Sequence, residues 1–452
     1  MGIPIENNAH LKINLMVKLS SGAMERLYIQ DVASLGNSSS VHIQGWAQDI
    51  RKLKKLSFII LRDHTGKIQL TLRPENLKNY EEITTINRES VLDVRGKVLL
   101  NSGSKSGIEI DVEEISVLNR SEAPLPLALF EDIESDFETR LNNRYLDLRE
   151  QRHNIIFRIE SSLLWGIRKY MQKNGFVEVH TPKIVAAATE GGANLFQVKY
   201  FERDVFLNQS PQLYKEILMA SGMDKVFEVG PAFRAEEHNT VHHLNEFTSL
   251  DIEVSFSNHE TVMKVLEEAV NSGLEEVMKD FGKEVSEINP SLHIQPLPYP
   301  RVSYRECLTL LANSGHSVNF GEDFNPEQLR IIGKHFPGFY FITEWPSEVR
   351  AFYTMPKPGD SEVTNSFDLQ YGERELTSGA QRVHDPEMLK KRLVEKGLDP
   401  KDFAFHLNAF KYGMPPHAGW AIGLERLTMI LLGLPNIREV VLFPRDRTRV
   451  TP

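Results

Sequence analysis

The 452-residue chain has only one cysteine, Cys307, so it cannot form a disulfide within itself. A zinc site built from several cysteines is excluded for the same reason, and such sparing use of cysteine is typical of the reducing cytosol. No apolar run approaches the roughly 18 residues of a membrane span. Residues 1–24 lack the charged-then-apolar order of a secretion signal. We therefore expect a cytoplasmic protein with no membrane partner.

Two common nucleotide-binding motifs are also missing. The chain contains neither a G-x-x-x-x-G-K-[ST] phosphate loop nor a G-x-G-x-x-G dinucleotide fingerprint. Any nucleotide must therefore be bound by another kind of site. The composition is otherwise that of an ordinary globular protein, with 41% hydrophobic residues, 25% charged residues and a net charge of −10. A chain of this length favours more than one domain.

The N-terminal part has the pattern of a small β-barrel. Between residues 41 and 118, short β-rich segments alternate with Gly, Asn and Ser, which predicts five strands. The OB-fold is the five-stranded barrel that binds nucleic acids. We place this domain at residues 25–120, after an N-terminal tail at residues 1–24. Two prolines and an acidic run then indicate a linker at residues 121–150.

The remaining residues, 151–452, are predicted to form one large domain of mixed helices and strands. A helix is expected from Asn154, because apolar residues recur every three or four positions until Gly175 ends the pattern. Strands and helices then mix through to the end of the chain. The whole protein is therefore placed in the α+β class, with a β-barrel in front.

Basic residues surround an aromatic in the predicted barrel. The segment RKLKKLSFIILRD places Arg51, three lysines and Arg62 around Phe58. Basic side chains neutralise phosphates, and an exposed ring stacks on an unpaired base. The segment therefore suggests contact with single-stranded nucleic acid. The alternative is a solvated hairpin with Phe58 in the core.

A strand-loop-strand segment at residues 226–256 carries a possible phosphate site. Arg234 ends the first strand, close to Glu236 and Glu237, and the loop contains His242 and His243. Arginine is the donor best suited to phosphate, and the histidines are placed to reach a polyphosphate. An Arg-Glu-Glu triplet alone is also common on salt-bridged surfaces.

A predicted hairpin at residues 366–384 brings two acids together. Folding at the turn QYGE would place Asp368 near Glu375, and like charges on facing strands repel. A cation between them would relieve this, and oxygen ligands beside a polyphosphate favour Mg²⁺. Ser378 and Arg382 follow on the same side. The alternative is two exposed acids on an edge hairpin.

Small residues alternate along the last predicted strand. Gly419, Ala421 and Gly423 would let a flat ligand approach the backbone closely, and Glu425-Arg426 then opens an apolar helix. An arginine at a helix N-terminus opposes the macrodipole. We therefore expect Arg426 to have an anionic partner.

Taken together, these stretches resemble class II aminoacyl-tRNA synthetases. GFVEVHTPKI (175–184) resembles motif 1 of that family, FRAEE with HHLNEFTSLDIE resembles motif 2, and GLER (423–426) resembles motif 3. The order, the spacing and the preceding barrel extend the resemblance over residues 41–452. LNQSPQLYKE (207–216) and NEFTSLDIE are similar to the aspartate-specific members. The lack of an inserted domain between motifs 2 and 3, and the segment LFPRDRTRVTP, resemble the archaeal and eukaryotic branch.

The resemblance implies a fold and a reaction. The fold is an N-terminal OB-fold barrel followed by a catalytic domain with an antiparallel sheet flanked by helices, which dimerises through motif 1. The reaction uses ATP and Mg²⁺ to join L-aspartate to tRNA-Asp, and in some members also to tRNA-Asn. The aspartate carboxylate attacks the α-phosphorus of ATP, and catalysis comes from positioning and charge stabilisation.

The resemblance also implies roles for individual residues. The catalytic groups are the two arginines that grip the ATP phosphates, Arg234 and Arg426. The ATP-binding residues are Arg234, Ala235, Glu236, His242, His243, Leu244, Phe247, Glu375, Gly423, Leu424, Glu425 and Arg426, with Phe247 stacking on the adenine. The magnesium ligands are Asp368, Glu375 and Ser378. The aspartate-binding residues are Glu190, Gln212, Leu213, Tyr214, Lys215, Arg234, Ser378 and Arg382. The anticodon is bound by Arg51, Phe58 and Gln69.

Some positions depart from the family pattern. His242 stands where an arginine is usual, Ala421 replaces a glycine of motif 3, and the glycine usual before the anticodon phenylalanine is missing. None of these changes removes a catalytic group. Because of His242, the resemblance does not define which side chains bind the terminal phosphates of ATP.

Other functions of the same fold remain as alternatives. An asparagine-specific enzyme is disfavoured because two cations, Lys215 and Arg382, suit a carboxylate better than an amide. A stand-alone amidating relative would lack the barrel, and a non-catalytic RNA-binding protein would not need the arginines and Glu375. Discrimination between tRNA-Asp and tRNA-Asn stays open. Gln48 indicates an enzyme that charges both tRNAs, whereas Lys105 indicates an enzyme that charges only tRNA-Asp.

Overall fold

The structure, a computed structural model, describes residues 25–100, 104, 107–130, 135–186, 195–237 and 240–452. The chain divides into two compact units, Met1–Gln151 and Arg152–Pro452. Glu190 and Lys105, both given roles above, and the N-terminal tail lie outside the described residues. In the part of the chain that is described, no helix is both long and apolar enough to cross a membrane.

The first unit contains a closed five-stranded barrel. Its strands are β1 (Ser40–Lys52), β2 (Ser57–Arg62), β3 (Lys67–Leu72), β4 (Val91–Leu100) and β5 (Ile108–Asn119). The neighbour order is β1-β2-β3-β5-β4, and the parallel pair β3–β5 stands among antiparallel neighbours. The predicted OB-fold is confirmed.

The barrel forms because apolar side chains alternate along its strands. Val41 and Ile43 of β1, and Ile59 and Leu61 of β2, point inward and are fully buried. Two short helices, α1 (Ile29–Val32) and α2 (Tyr80–Ile83), add their buried residues to this core. On β2 the opposite face carries Phe58 and Ile60, which are partly exposed.

The segment interpreted as a linker contains two short helices, α3 (Phe137–Asn142) and α4 (Arg144–Asp147). Asp147 accepts hydrogen bonds from Arg140 Nε at 2.9 Å and from Arg144 Nη1 at 2.6 Å, and all three side chains are buried. Some charged residues of this segment therefore form buried ion pairs, while others are exposed to solvent.

The second unit is built on an eight-stranded sheet. Its strands are β6 (Val177–Glu178), β10 (Lys225–Phe233), β11 (Glu246–Ser255), β12 (Arg301–Ser303), β13 (Phe339–Thr343), β16 (Ser366–Tyr371), β17 (Arg374–Gln381) and β18 (His417–Gly423). The order is β12-β13-β16-β17-β18-β11-β10-β6. The central pairs are antiparallel, as the resemblance implies, and the outermost pair at each edge is parallel.

Smaller elements complete this unit. A three-stranded sheet contains β7 (Ile184–Val185), β8 (Gln197–Tyr200) and β9 (Arg203–Leu207), and a two-stranded sheet contains β14 (Pro356–Lys357) and β15 (Asp360–Thr364). The helices are α5 (Gln151–Lys173), α6 (Gln212–Met219), α7 (His259–Ile288), α8 (Tyr304–Asn313), α9 (Pro326–Gly333), α10 (Pro386–Glu395), α11 (Ala404–Phe410), α12 (Leu424–Leu431) and a 3₁₀ helix (Ile437–Val440).

Two long helices cover one face of the large sheet. The predicted helix is confirmed as α5, which ends before Gly175, where φ is +79°. A Cβ on Gly166 of α5 would lie 2.6 Å from the carbonyl oxygen of Ser272 in α7, so the glycine allows close packing of the two helices. Ile252 and Trp420 of the sheet share a core with these helices. The apolar side chains of the sheet therefore face these helices, and the polar side chains lie on its opposite face.

Candidate active site

Four residues on neighbouring strands lie side by side on the polar face of the sheet. Asp251 of β11 pairs with Ala421 of β18, Ala421 pairs with Ser378 of β17, and Ser378 pairs with Asp368 of β16. Side chains alternate between faces along a strand, so the apolar neighbours of these residues point into the core. The small residue Ala421 keeps the middle of this row open.

A cavity of about 180 Å³ lies over this row. Its lining includes most of the predicted ATP-binding set: Arg234, Glu236, His242, His243, Leu244, Phe247, Glu375, Gly423, Glu425 and Arg426, together with Ser378. Two predicted members are not part of it. Ala235 lines a neighbouring cavity of about 530 Å³, and Leu424 is buried in the main core.

Arg234 and Arg426 have no carboxylate oxygen within 4 Å among the described residues. The guanidinium of Arg234 lies 5.4 Å from the centre of the Phe247 ring. Arg426 donates from Nη1 to the backbone oxygen of Glu375 at 3.3 Å. Among the described residues, Arg426 therefore has a neutral carbonyl oxygen as its hydrogen-bond partner and not the expected anion. Both arginines retain positive charge for an anionic ligand.

The loop between β10 and β11 adds two histidines to the cavity. Burial, together with the nearby Arg374 and Arg426, lowers the pKa of His242. Burial and Arg426 lower the pKa of His243 in the same way, and His243 Nδ1 lies 2.7 Å from the hydroxyl of Thr240. Neutral imidazoles at neutral pH are thus expected beside the arginines, and they serve as hydrogen-bonding groups.

The hairpin β16–β17 brings the predicted acids together. The Ser378 hydroxyl donates to Asp368 Oδ1 at 2.7 Å and lies 3.2 Å from Glu375 Oε1. Desolvation by the surrounding protein and the nearby Asp368 carboxylate raise the pKa of Glu375 to about 7. Burial raises the pKa of Asp368, while Arg350 opposes that shift. The repulsion expected between the two acids is thus present.

Arg350 is a site residue that the sequence analysis missed. It lies in the irregular segment between β13 and β14, and its Nη2 donates to Asp368 Oδ2 at 2.6 Å. A single arginine in a segment without periodicity gives no signal of the strand it will contact. No group of three or more His, Cys, Asp or Glu side chains that could hold a metal ion occurs in the described residues.

Three of the residues predicted to bind aspartate, Gln212, Lys215 and Arg382, belong to a buried ionic network. Lys215 donates to Asp251 at 2.9 Å and lies 3.7 Å from Glu253. Arg382 donates to Glu253 from Nε at 3.0 Å, and its Nη2 lies 3.4 Å from Gln212 Oε1. The two cations therefore meet at one carboxylate, that of Glu253.

Asp251 and Glu253 are members of this network that the sequence analysis missed. Their alternation in LDIEVS was the available signal, because alternate residues of a strand share a face. Leu213 and Tyr214 do not join the network. Leu213 is buried in a separate apolar core, and the Tyr214 ring lies 6.1 Å from that of Phe405.

A second layer of polar groups supports Gln212. Gln212 Nε2 donates to Glu216 at 2.5 Å, and His406 Nε2 lies 3.0 Å from the same carboxylate. His417 Nε2 lies 3.9 Å from Glu216, and its Nδ1 lies 2.8 Å from the carbonyl oxygen of Pro415. These contacts hold the side chain of Gln212 toward Arg382.

In the first unit, Arg51, Phe58 and Gln69 line one cavity of about 720 Å³. The Gln69 amide donates to Glu109 at 2.8 Å, which orients its oxygen. Gln48 does not line this cavity, and its side-chain oxygen is buried with no hydrogen-bond partner among the described residues.

Comparison with known proteins matches both units. The family described as tRNA synthetases class II (D, K and N) matches residues 136–447, and the OB-fold nucleic acid binding domain matches residues 41–118. The chain is 58% identical to an aspartate–tRNA(Asp) ligase of Thermoplasma volcanium, over 95% of this chain and 100% of that protein. It is 47% identical to an aspartate–tRNA(Asp/Asn) ligase of Archaeoglobus fulgidus, over 94% and 100%.

A solved structure resembles the whole chain. The asparaginyl-tRNA synthetase of Pyrococcus horikoshii, complexed with asparaginyl-adenylate, has a TM-score of 0.90 and 32% identity. The match covers 95% of this chain and 100% of that structure.

Proposed function

The chain belongs to the class II tRNA synthetases (D, K and N), and we propose on that premise that it is an aspartate–tRNA ligase. It activates L-aspartate with ATP and transfers the aspartyl group to the 3′ end of tRNA-Asp. The proposal rests on one observation. Two cations, Lys215 and Arg382, contact the carboxylate of Glu253 beside the cavity that Arg234 and Arg426 line.

The first step needs no nucleophile from the protein. An oxygen of the aspartate α-carboxylate attacks the α-phosphorus of ATP, the bond to the β-phosphate breaks, and pyrophosphate leaves. Arg234 and Arg426 line the cavity and form no ion pair with a carboxylate of the described residues, so they stabilise the charge that develops on the phosphates. In the second step a ribose hydroxyl of the tRNA attacks the acyl carbon, and AMP leaves.

The acidic hairpin fits a magnesium ion. Glu375 opens to the cavity, its pKa is raised to about 7 by desolvation and by Asp368, and a divalent cation would relieve this repulsion. Glu375 and Ser378 would hold the ion together with the ATP phosphates, because Mg²⁺ seldom uses protein ligands alone. The ion supplies charge neutralisation of the polyphosphate. Ser378 meanwhile donates to Asp368 and fixes the distance between the strands.

The choice of amino acid follows from charge. Lys215 and Arg382 offer hydrogen-bond donors with positive charge, which match the side-chain carboxylate of aspartate and not the amide of asparagine. The structural neighbour holds asparaginyl-adenylate, whereas the relatives with 44–58% identity are named aspartate ligases. Gln212, held toward Arg382 by Glu216, completes this side of the pocket.

The barrel binds the anticodon in this proposal. Phe58 and Gln69 share a cavity with Arg51, Lys67 and Arg73, which supply positive charge for the RNA backbone. An aromatic face accepts any base, while an amide matches the edge of one base. Relatives named for tRNA(Asp) reach 58% identity and relatives named for tRNA(Asp/Asn) reach 47%, which favours tRNA-Asp.

The enzyme acts as a homodimer in the cytoplasm. Trp165 of α5, Val177 of β6 and Ile184 of β7 are large apolar residues that stay about half exposed in the isolated chain. They lie in or near the segment that resembles motif 1, and a two-fold interface is the commonest way to cover such a surface. The cytoplasm is the compartment in which the tRNA substrate is used.

Pyrophosphate exchange tests the proposal directly. The protein is incubated with ATP, Mg²⁺ and labelled pyrophosphate, and with aspartate, asparagine or lysine in turn. Exchange that depends on aspartate alone supports the proposal, and exchange that depends on asparagine contradicts it. Transcripts with the Asp and the Asn anticodon then show which tRNA is charged, and equal charging of both would mark a relaxed enzyme.

A further inference from the structure

Arg350 reaches the acidic hairpin from outside the motifs that the family resemblance identified. Its Nη2 donates to Asp368 Oδ2 at 2.6 Å, and its Nη1 lies 3.4 Å from the hydroxyl of Ser378. The guanidinium lies 4.7 Å from the centre of the Trp345 ring, which holds it in place by a cation–π contact. Arg350 is therefore a positioned group and not a loose surface cation.

Both oxygens of Asp368 are already engaged. Arg350 donates to one and Ser378 donates to the other at 2.7 Å, and the side chain of Asp368 is only 3% exposed. Glu375 differs, because it lines the cavity and its carboxylate makes one side-chain hydrogen bond among the described residues, the 3.2 Å contact with Ser378. The two acids of the hairpin thus have unequal access to a ligand.

We propose that Arg350 is a built-in counter-cation of Asp368, which leaves Glu375 as the carboxylate of the hairpin that magnesium reaches. The inference deepens the proposed function and rests on it. Arg350 is a positioning residue, since it acts through Asp368. With one accessible carboxylate, the site binds a divalent ion weakly until the ATP phosphates supply further oxygens.

Removal of the Arg350 guanidinium should change divalent-cation binding, which a residue with only a structural role would not affect. In Arg350→Gln, Asp368 loses its ion-pair partner and remains a negatively charged neighbour of Glu375, with which it shares the Ser378 hydroxyl. A buried charge without its partner is costly, and a divalent cation relieves that cost. The variant is therefore expected to gain a divalent-cation site in the absence of ATP.

The test uses Mn²⁺ as the probe, followed by electron paramagnetic resonance on the whole protein without ATP or aspartate. Arg350→Gln should bind Mn²⁺ at least tenfold more tightly than the wild type, and Mn²⁺ should raise its melting temperature. The control is Arg305→Gln. Arg305 also joins two acids, Asp360 and Glu362, but these are exposed. An equal gain in the control, or no gain in Arg350→Gln, would overturn the inference.

A second variant keeps the inference testable if Arg350→Gln folds poorly. Arg350→Gln/Asp368→Asn replaces the ion pair by neutral amides. It should bind Mn²⁺ as weakly as the wild type without ATP, and within threefold of the wild type with ATP. A tenfold loss with ATP would show that Asp368 is itself a metal ligand. Aspartate-dependent exchange by the wild type is measured separately, so a wrong amino acid assignment leaves the Mn²⁺ result interpretable.

Discussion

Arg382 and Glu253 form an ion pair inside the catalytic unit, with Arg382 Nε 3.0 Å from Glu253 Oε1 and neither side chain exposed by more than 4%. Gly419 makes room for this pair, because a Cβ there would lie 2.2 Å from Glu253 Oε2. Lys215 approaches the same carboxylate at 3.7 Å. The substrate carboxylate must therefore enter a site in which the cations are already oriented, which reduces the cost of ordering them on binding.

Lys215→Met should lower aspartate activation at least tenfold. A charged hydrogen bond to the substrate is worth about 1.5–3 kcal/mol. The measurement is aspartate-dependent pyrophosphate exchange, with ATP binding followed separately and expected to be unchanged. Because the change also leaves Asp251 without its ion-pair partner, folding must be checked by circular dichroism. Intact exchange in a folded variant would mean that the pocket is placed wrongly.

Glu375→Ala should abolish adenylate formation. Glu375 is the carboxylate of the acidic hairpin that opens to the cavity, and without it the hairpin would offer a magnesium ion only the Ser378 hydroxyl beside the phosphates. Exchange kinetics measure the effect over a range of Mg²⁺ concentrations. Glu373→Ala, at the turn of the same hairpin, is the matched control and should retain exchange. A Glu375→Ala variant with normal kinetics would contradict the metal assignment.

Glu160 should make stability depend on pH. Burial and the nearby Glu425 raise its pKa to about 8, above the ordinary value of 4.5. The folded protein thus holds this proton where the unfolded chain has lost it, so the stabilising contribution is complete below about pH 4.5 and is lost as the pH rises toward 8. Urea denaturation at pH 6 and pH 8.5 measures this loss.

Glu160→Gln should reduce that loss, because an amide keeps the neutral form at every pH. The exposed Glu275→Gln on α7 is the control and should leave the pH dependence as it is in the wild type. An equal slope in Glu160→Gln and in the wild type would show that Glu160 is not the group responsible.

Phe58→Ala should weaken the charging of every accepted tRNA, while exchange without tRNA stays normal. Stacking of one base is worth about 1–3 kcal/mol. Gln69→Ala should instead reduce discrimination at one anticodon position, because Gln69 offers a donor and an acceptor to a base edge. Charging assays with single-base anticodon variants separate the two effects. Unchanged charging in both variants would remove the barrel from recognition.

Val177→Asp should shift the protein toward monomers. Val177 lies on the edge strand β6 and is half exposed, so an introduced charge would be buried between two copies if this surface is the interface. Sedimentation velocity at low micromolar concentration gives the oligomeric state. Val394→Asp on α10 changes an equally apolar exposed residue and should remain dimeric. A wild type that is an active monomer would contradict the proposed assembly.

Much of the fold was predictable because it depends on local patterns. The alternation in the barrel strands, the apolar spacing of α5 and the turn between β16 and β17 each predict an element from neighbouring residues. The turn correctly predicted that Asp368 and Glu375 lie near each other, but the register places Ser378 opposite Asp368 and Gln370 opposite Glu375, and the Ser378 hydroxyl contacts both acids.

The sequence by itself determined the barrel, the main helix and the acidic hairpin, because each lies within a continuous segment with its own periodicity. Only the tertiary structure decided which charges are partners. Arg350 reaches Asp368 from an irregular segment, and Lys215 and Arg382 converge on Glu253 from separate elements. Such pairs depend on distances between strands and helices far apart in sequence, and no local pattern carries that information.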